Sequence, residues 1–206
     1  MQKTPNATEG RKSSSETRDR IQAAARELFA ARGFKGTTTA AIARRARVNE
    51  ALIFRHFPGK TDLYAAILQA KLADEQIARI LRAAGCDQIP ATEALRQVAQ
   101  GFLHCADTEF LRLYYHSALE GHELAVGFYD QFVRRLILQV EELIRRGVRE
   151  GNFRKVDPRM AAQAFTGMLR SYTLTRELFP DHALPAEDAA VADSFCDLFL
   201  SGLEKR

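Results

Sequence analysis

The chain has 206 residues, 46% of them hydrophobic and 27% charged, with three cysteines and a formal charge of +4. That is enough apolar mass for one sizeable domain, or a small domain fused to a medium one, and it excludes global disorder. No apolar run reaches the about 18 residues a membrane-spanning helix needs, and Cys86, Cys105 and Cys196 are too few and too far apart for a disulfide framework or a CxxC zinc site.

The start, MQKTPNATEGRKSSSETR, lacks the apolar block of a secretory signal, so a cytoplasmic location is expected. Residues 1–15 are expected to be a disordered basic arm. Charge is unevenly spread. Residues 1–62 hold 13 Lys/Arg against 6 Asp/Glu, a balance of +7, while the rest holds 17 against 20, a balance of −3. One part is therefore suited to a polyanion and the other is not.

Beyond residue 15 the periodicity is helical throughout. Ile21, Ala24, Ala25, Leu28 and Phe29 predict a first helix that stops at Gly33. Thr38 is a candidate N-cap for a short helix carrying Ile42 and Ala46 inward, and Asn49 for a second one. Pro58-Gly59 ends that second helix, and a longer helix is expected over residues 59–82. After a break at 85–92, helices are expected near 92–106, 109–120, 123–150, 158–178 and 187–203. No alternating strand pattern occurs, so the predicted fold is all-α with about nine helices.

Two short helices joined by a tight turn after a longer amphipathic one make a helix-turn-helix, whose second helix can enter a DNA major groove. Ile42, Ala46, Val48, Ile53 and Phe57 would form its mount. Thr37 and Thr38 can bond a phosphate at a helix N-terminus. Asn49, Ala51, Phe54 and Arg55 can approach the bases or sugars, and Glu50 can accept from cytosine. His56 and Lys60 are placed to meet the backbone.

The ordered set Leu28-Phe29, Gly33-Phe34, the Thr pair, Ile42-Ala43, Ala46, Ala51-Leu52-Ile53, Arg55-His56-Phe57 and Lys60 resembles the DNA-binding domain of the TetR family of bacterial transcriptional regulators, without a gap over about residues 16–68. The resemblance implies a DNA-binding domain over 16–62 with its helix-turn-helix at 38–57, recognition helix at 49–55, and Lys60 as a phosphate donor. Residues 83–206 become a regulatory domain that binds a small molecule and dimerises through the helices at 158–178 and 187–203. Three positions depart from the family: Arg47 stands where Gly is usual, Phe54 where Tyr is usual, and Thr39 where an aliphatic is common. Arg47 must adopt a conformation costly for a side chain, while adding a cation near DNA.

Candidate effector contacts are Phe102, His104, Tyr114, Tyr115, His116, Phe128, Phe165 and Met168, each of which alone also fits plain core. An apolar or aromatic effector is expected. His116 and Glu120 share a helix face with His122 just beyond, but no further ligands stand near in sequence, so no metal and no cofactor are expected. No P-loop, GxGxxG, GxSxG or HExxH motif occurs, and an enzyme is not expected. The expected function is a homodimeric repressor on a palindromic operator, released by its effector. The alternative is an effector-independent, DNA-bound interaction protein.

Overall fold

A computed structural model describes the backbone of residues 7–203 and the side chains of residues 14–203. The elements are α1 (Ala7–Arg32), α2 (Thr39–Ala46), α3 (Glu50–His56), α4 (Lys60–Leu72), α5 (Glu75–Ala84), α6 (Ala91–His104), α7 (Thr108–Leu119), α8 (Glu123–Phe128), a π-helical stretch (Tyr129–Arg134), α9 (Arg135–Arg149), α10 (Pro158–Leu178) and α11 (Asp188–Ser201). A single 3-10 turn spans Pro180–His182. As α8, the π stretch and α9 run on without interruption, the described residues form ten helices and no strand.

The helix beyond the expected nine comes from a break in the segment predicted as one helix over 59–82. Asp74 leaves the helical conformation (φ −61°, ψ 128°) and its carboxylate accepts from the Gln76 N–H at 2.9 Å, which caps α5 and separates it from α4. A second correction concerns the arm. Helix α1 starts at Ala7, so residues 7–15 are helical and not disordered, while residues 1–6 lie outside the described residues. Once the buried half of α1 is fixed, each residue added at its N-terminal end gains a bond, and Glu9, Arg11 and Lys12 are good helix formers.

The chain divides into two compact units. The first holds the residues up to Ala70 together with Arg112–Ala125, and the second holds Lys71–Leu111 with Val126–Arg206. The boundary expected at residue 62 therefore lies later, and the DNA-binding unit also takes in a distant segment covering most of α7. Its core is Ile21, Ala25 and Phe29 of α1, Ile42 of α2, Ile53 of α3, and Leu63 and Tyr64 of α4, all at 0% exposure. Phe29, Phe34 and Tyr64 pack ring against ring at 5.4–5.6 Å, which fixes the end of α1 on α4.

In the second unit α6 packs on α5 and α11, and α9 packs on α10, α5 and α6. The π stretch has a physical reason. Phe128, Phe132, Leu136, Val140 and Ile144 are all buried at a spacing of four, and in a plain α-helix that spacing drifts around the axis. The wider π turn takes up part of the drift, so Phe128 and Phe132 stay on the core face with Leu136. Between α9 and α10 the Phe153 ring lies against Gly147, where a Cβ would come within 2.3 Å of it.

Candidate nucleic-acid interface

The turn between α2 and α3 is built by caps. The Thr38 hydroxyl accepts from the Ala41 N–H at 3.2 Å and the Asn49 side chain from the Leu52 N–H at 2.8 Å. Arg47 ends α2 in the left-handed region (φ 56°, ψ 47°), with its N–H donating to the Arg44 carbonyl at 3.2 Å. It is the one non-glycine residue with positive φ among the described residues. Arg47 thus takes the left-handed conformation that glycine adopts freely, at a cost in conformational strain.

Helix α3 sorts its residues as the mount-and-face reading requires. Ile53 and Phe57 are buried at 0% and 2%, with the Arg18 guanidinium 4.7 Å from the centre of the Phe57 ring. Ala51, Phe54 and Arg55 are exposed, Phe54 by 50%, and His56 is half-buried at the end of the helix. Arg44, Arg47 and Arg55 are exposed and form no ion pair among the described residues, unlike Arg45, which is paired with Glu27 at 2.6 Å. This leaves a cluster of uncommitted cations on α2, the turn and α3, the electrostatic requirement for a phosphate backbone. The Glu50 carboxylate accepts from the Thr39 hydroxyl, which gives the third family departure a role in holding the one acid of α3.

Two side chains expected to meet phosphate are engaged inside the unit. Thr37 is 1% exposed, and its hydroxyl lies 2.8 Å from the Gly33 carbonyl and 3.1 Å from that of Leu28, so it fastens the end of α1. Lys60 donates to the carbonyls of Phe34 at 2.7 Å and Thr37 at 2.9 Å, with its ammonium 4.3 Å from the centre of the Phe34 ring. Both side chains are engaged inside the unit because the α1–α2 turn exposes carbonyls that need donors.

Sequence reasoning missed the part that Lys35, Glu120, His122, Tyr64 and Ser117 play in the same unit. The Lys35 N–H donates to the Glu120 carboxylate at 3.1 Å and the Lys35 ammonium to the Glu120 carbonyl at 3.4 Å. The His122 ring stands 4.2 Å from that of Phe34 and 5.3 Å from that of Tyr64. The buried hydroxyls of Tyr64 and Ser117 have no hydrogen-bond partner among the described residues. Burial pushes the Tyr64 hydroxyl up to about 12. The one sequence signal was the His116–Glu120–His122 spacing, weighed above as a metal pair and not taken for one. Glu120 is instead committed to Lys35, and His122 Nδ1 accepts from the Leu124 N–H at 3.2 Å. No group of three or more His, Cys, Asp or Glu stands together among the described residues.

The expected effector contacts are not gathered in one place. Phe165, at 0% exposure, packs on Phe199 at 5.1 Å, and Phe128 packs between Phe110 and Phe132, so both are core. His104 is exposed at the end of α6, His116 is exposed, and Tyr114 and Tyr115 pair with each other at 5.3 Å. Phe102 is half-buried. Met168 alone of the set lines a groove of about 450 Å³ in the second unit, with Tyr172, Thr175, Leu184 and Phe195.

A rigidly mounted short helix with an exposed, basic reading face defines a helix-turn-helix DNA-binding protein. The chain belongs to the tetR family of bacterial regulatory proteins: residues 21–67 match the family model of that description, and residues 91–202 match that of the AefR-like transcriptional repressor C-terminal domain. It is therefore a DNA-binding transcriptional regulator. It is similar to the nucleoid occlusion factor SlmA of Vibrio vulnificus, 27% identical over 164 residues, 78% of this chain and 83% of that one. Among solved structures it shares its fold with the ketosteroid transcriptional regulator KstR2 of Mycobacterium tuberculosis (TM-score 0.72, 19% identity, covering 92% of this chain and 95% of that one). It also shares it with FadR from Bacillus subtilis in complex with stearoyl-CoA (TM-score 0.66, 20% identity, covering 90% and 98%). No helix among the described residues is long and apolar enough to cross a membrane.

Proposed function

We propose that this regulator is a cytoplasmic, homodimeric repressor that reads a palindromic operator with α3 and leaves it when a small apolar or aromatic molecule binds. The observation that carries the reading is the division of α3, with Ile53 and Phe57 buried and Ala51, Phe54 and Arg55 exposed beside the unpaired Arg47. Ala51, Phe54 and Arg55 meet the groove, and Thr38, Arg47, Asn49 and His56 border it on the backbone side. Thr37 and Lys60 hold the turn. One seven-residue helix covers only a few base pairs, so two copies are needed, with half-sites about 34–36 Å apart or a multiple of that. Exposed Met160 and Leu198, at 68% and 72%, support dimerisation through α10 and α11. The half-buried Phe102 and Met168 of the second unit are the candidate effector contacts.

The test is selection from a pool of random duplex DNA at moderate salt. A palindromic consensus is the expected result, and binding without sequence enrichment sinks the reading. The consensus then serves as the probe for an effector screen. The likeness to a protein named as a nucleoid occlusion factor favours a second reading, an effector-independent protein that stays on DNA. That reading gains if no small molecule changes operator affinity.

A further inference from the structure

The geometry points to Glu120, at the end of α7, as a positioning residue for DNA binding. The α1–α2 turn, Gly33 to Thr37, runs directly into the Thr38 cap of α2, so the placing of α2, and through Arg47 of α3, depends on where that turn is held. It is held from two directions. Lys60 of α4 takes the carbonyls of Phe34 and Thr37. Glu120, 85 positions away in the chain, takes the Lys35 N–H with its carboxylate and the Lys35 ammonium with its carbonyl. No other acceptor serves either Lys35 group among the described residues.

Three further observations mark this as a fitted contact. Gly33 has φ +72°, and a Cβ there would stand 2.4 Å from Glu120 Oε1, so the carboxylate lies in the space that a side chain at this position would take. The His122 ring, two residues on, closes against Phe34 at 4.2 Å. The segment Arg112–Ala125 belongs with the DNA-binding unit although it lies more than forty residues from it in the chain. A carboxylate on an amide N–H is a charge-assisted bond, roughly twice as strong as a neutral one. Glu120 therefore fixes the turn from the end of α7.

The experiment uses the full chain and its Glu120→Ala and Glu120→Gln variants. Hydrogen exchange of the Lys35 amide is followed by NMR or mass spectrometry, and operator affinity is measured over a salt series. In Glu120→Ala the Lys35 amide is expected to exchange about tenfold faster, because a bond to a charged acceptor is lost. Operator affinity should fall about fivefold or more with an unchanged salt slope, since no phosphate contact is removed. Glu120→Gln keeps an acceptor oxygen and should recover most of both. Deleting an acid that merely repelled DNA would raise affinity, so a rise, no change, or a changed salt slope overturns the proposal. So does unaltered Lys35 exchange. If Glu120→Ala fails to fold, Glu120→Asp, one methylene shorter, takes its place with the same expected signs. The effect on affinity rests on the DNA-binding reading above, whereas the exchange measurement does not, so failure of one is separable from failure of the other.

Discussion

Replacing Arg47 with glycine sets two effects of one residue against each other. At φ 56° and ψ 47° Arg47 sits where an L-residue loses about 1–2 kcal/mol. Glycine removes that strain but costs about 0.5–1 kcal/mol through the greater freedom of the unfolded chain. The net expectation for Arg47→Gly is a stabilisation of about 0.5–1 kcal/mol. In a chain of this size that raises the melting temperature by about 1–4 °C. The same substitution deletes an exposed cation that has no ion pair within the described residues. If that cation meets a phosphate, the slope of log K against log salt shrinks by about 0.9. Arg47→Ala separates the two, since it loses the cation and keeps the strain. It should match Arg47→Gly on DNA and lie below it in stability. Urea unfolding followed by circular dichroism gives the first quantity, and fluorescence anisotropy on the selected operator between about 50 and 200 mM salt gives the second. The reasoning is refuted if Arg47→Gly is less stable than the natural chain, or if its salt slope equals that of the natural chain.

Thr37→Val should cost about 1–2 kcal/mol, because the carbonyls of Leu28 and Gly33 lose their buried donor. Its salt slope on DNA should not move, and a smaller slope would restore the phosphate role. Lys60→Met, which keeps the stem and removes the ammonium, should destabilise the first unit by about 2 kcal/mol in urea titration, with faster exchange in residues 34–37. Gly147→Ala places a Cβ within 2.3 Å of the Phe153 ring and should cost about 1–3 kcal/mol, visible as a lower urea midpoint. Tyr64 is pushed up to about 12 from an ordinary 10 by burial. The folded state therefore holds the phenol proton more tightly than the unfolded one. The stability this contributes is complete below pH 10 and is lost as the pH rises from about 10 towards 12. In melting temperatures measured across that window, Tyr64→Phe should flatten this part of the decline.

What the sequence made legible was local. Thr38 and Asn49 are N-caps because each bonds an N–H three residues on, and Ile42, Ala46, Ile53 and Phe57 fall on a buried arc by spacing alone. The ends of α10, opened by Pro158, were equally readable. Features that depend on distant groups were not. Thr37 and Thr38 look alike in sequence, and only the turn at Gly33 decides that one is buried and the other exposed. Lys60 reads as a free cation until two carbonyls 26 and 23 positions earlier are placed against it. The break at Asp74 was hidden because apolar spacing continues through Leu72, Ile77 and Ile80. Helical periodicity cannot tell a core ring from a cavity wall, and of the expected effector contacts Phe128 and Phe165 fill the core.

The division of labour in α3 has an evolutionary corollary. Ala51, Phe54 and Arg55 lie outside the buried core, and substitutions at exposed positions usually change stability by no more than about 0.5 kcal/mol. Ile53 and Phe57, one or two positions from them in sequence, are fully committed to folding. On the proposed reading of α3, operator preference can drift almost free of selection on the fold, so that duplicated copies of such a gene acquire separate targets through a few surface changes while the same scaffold is retained.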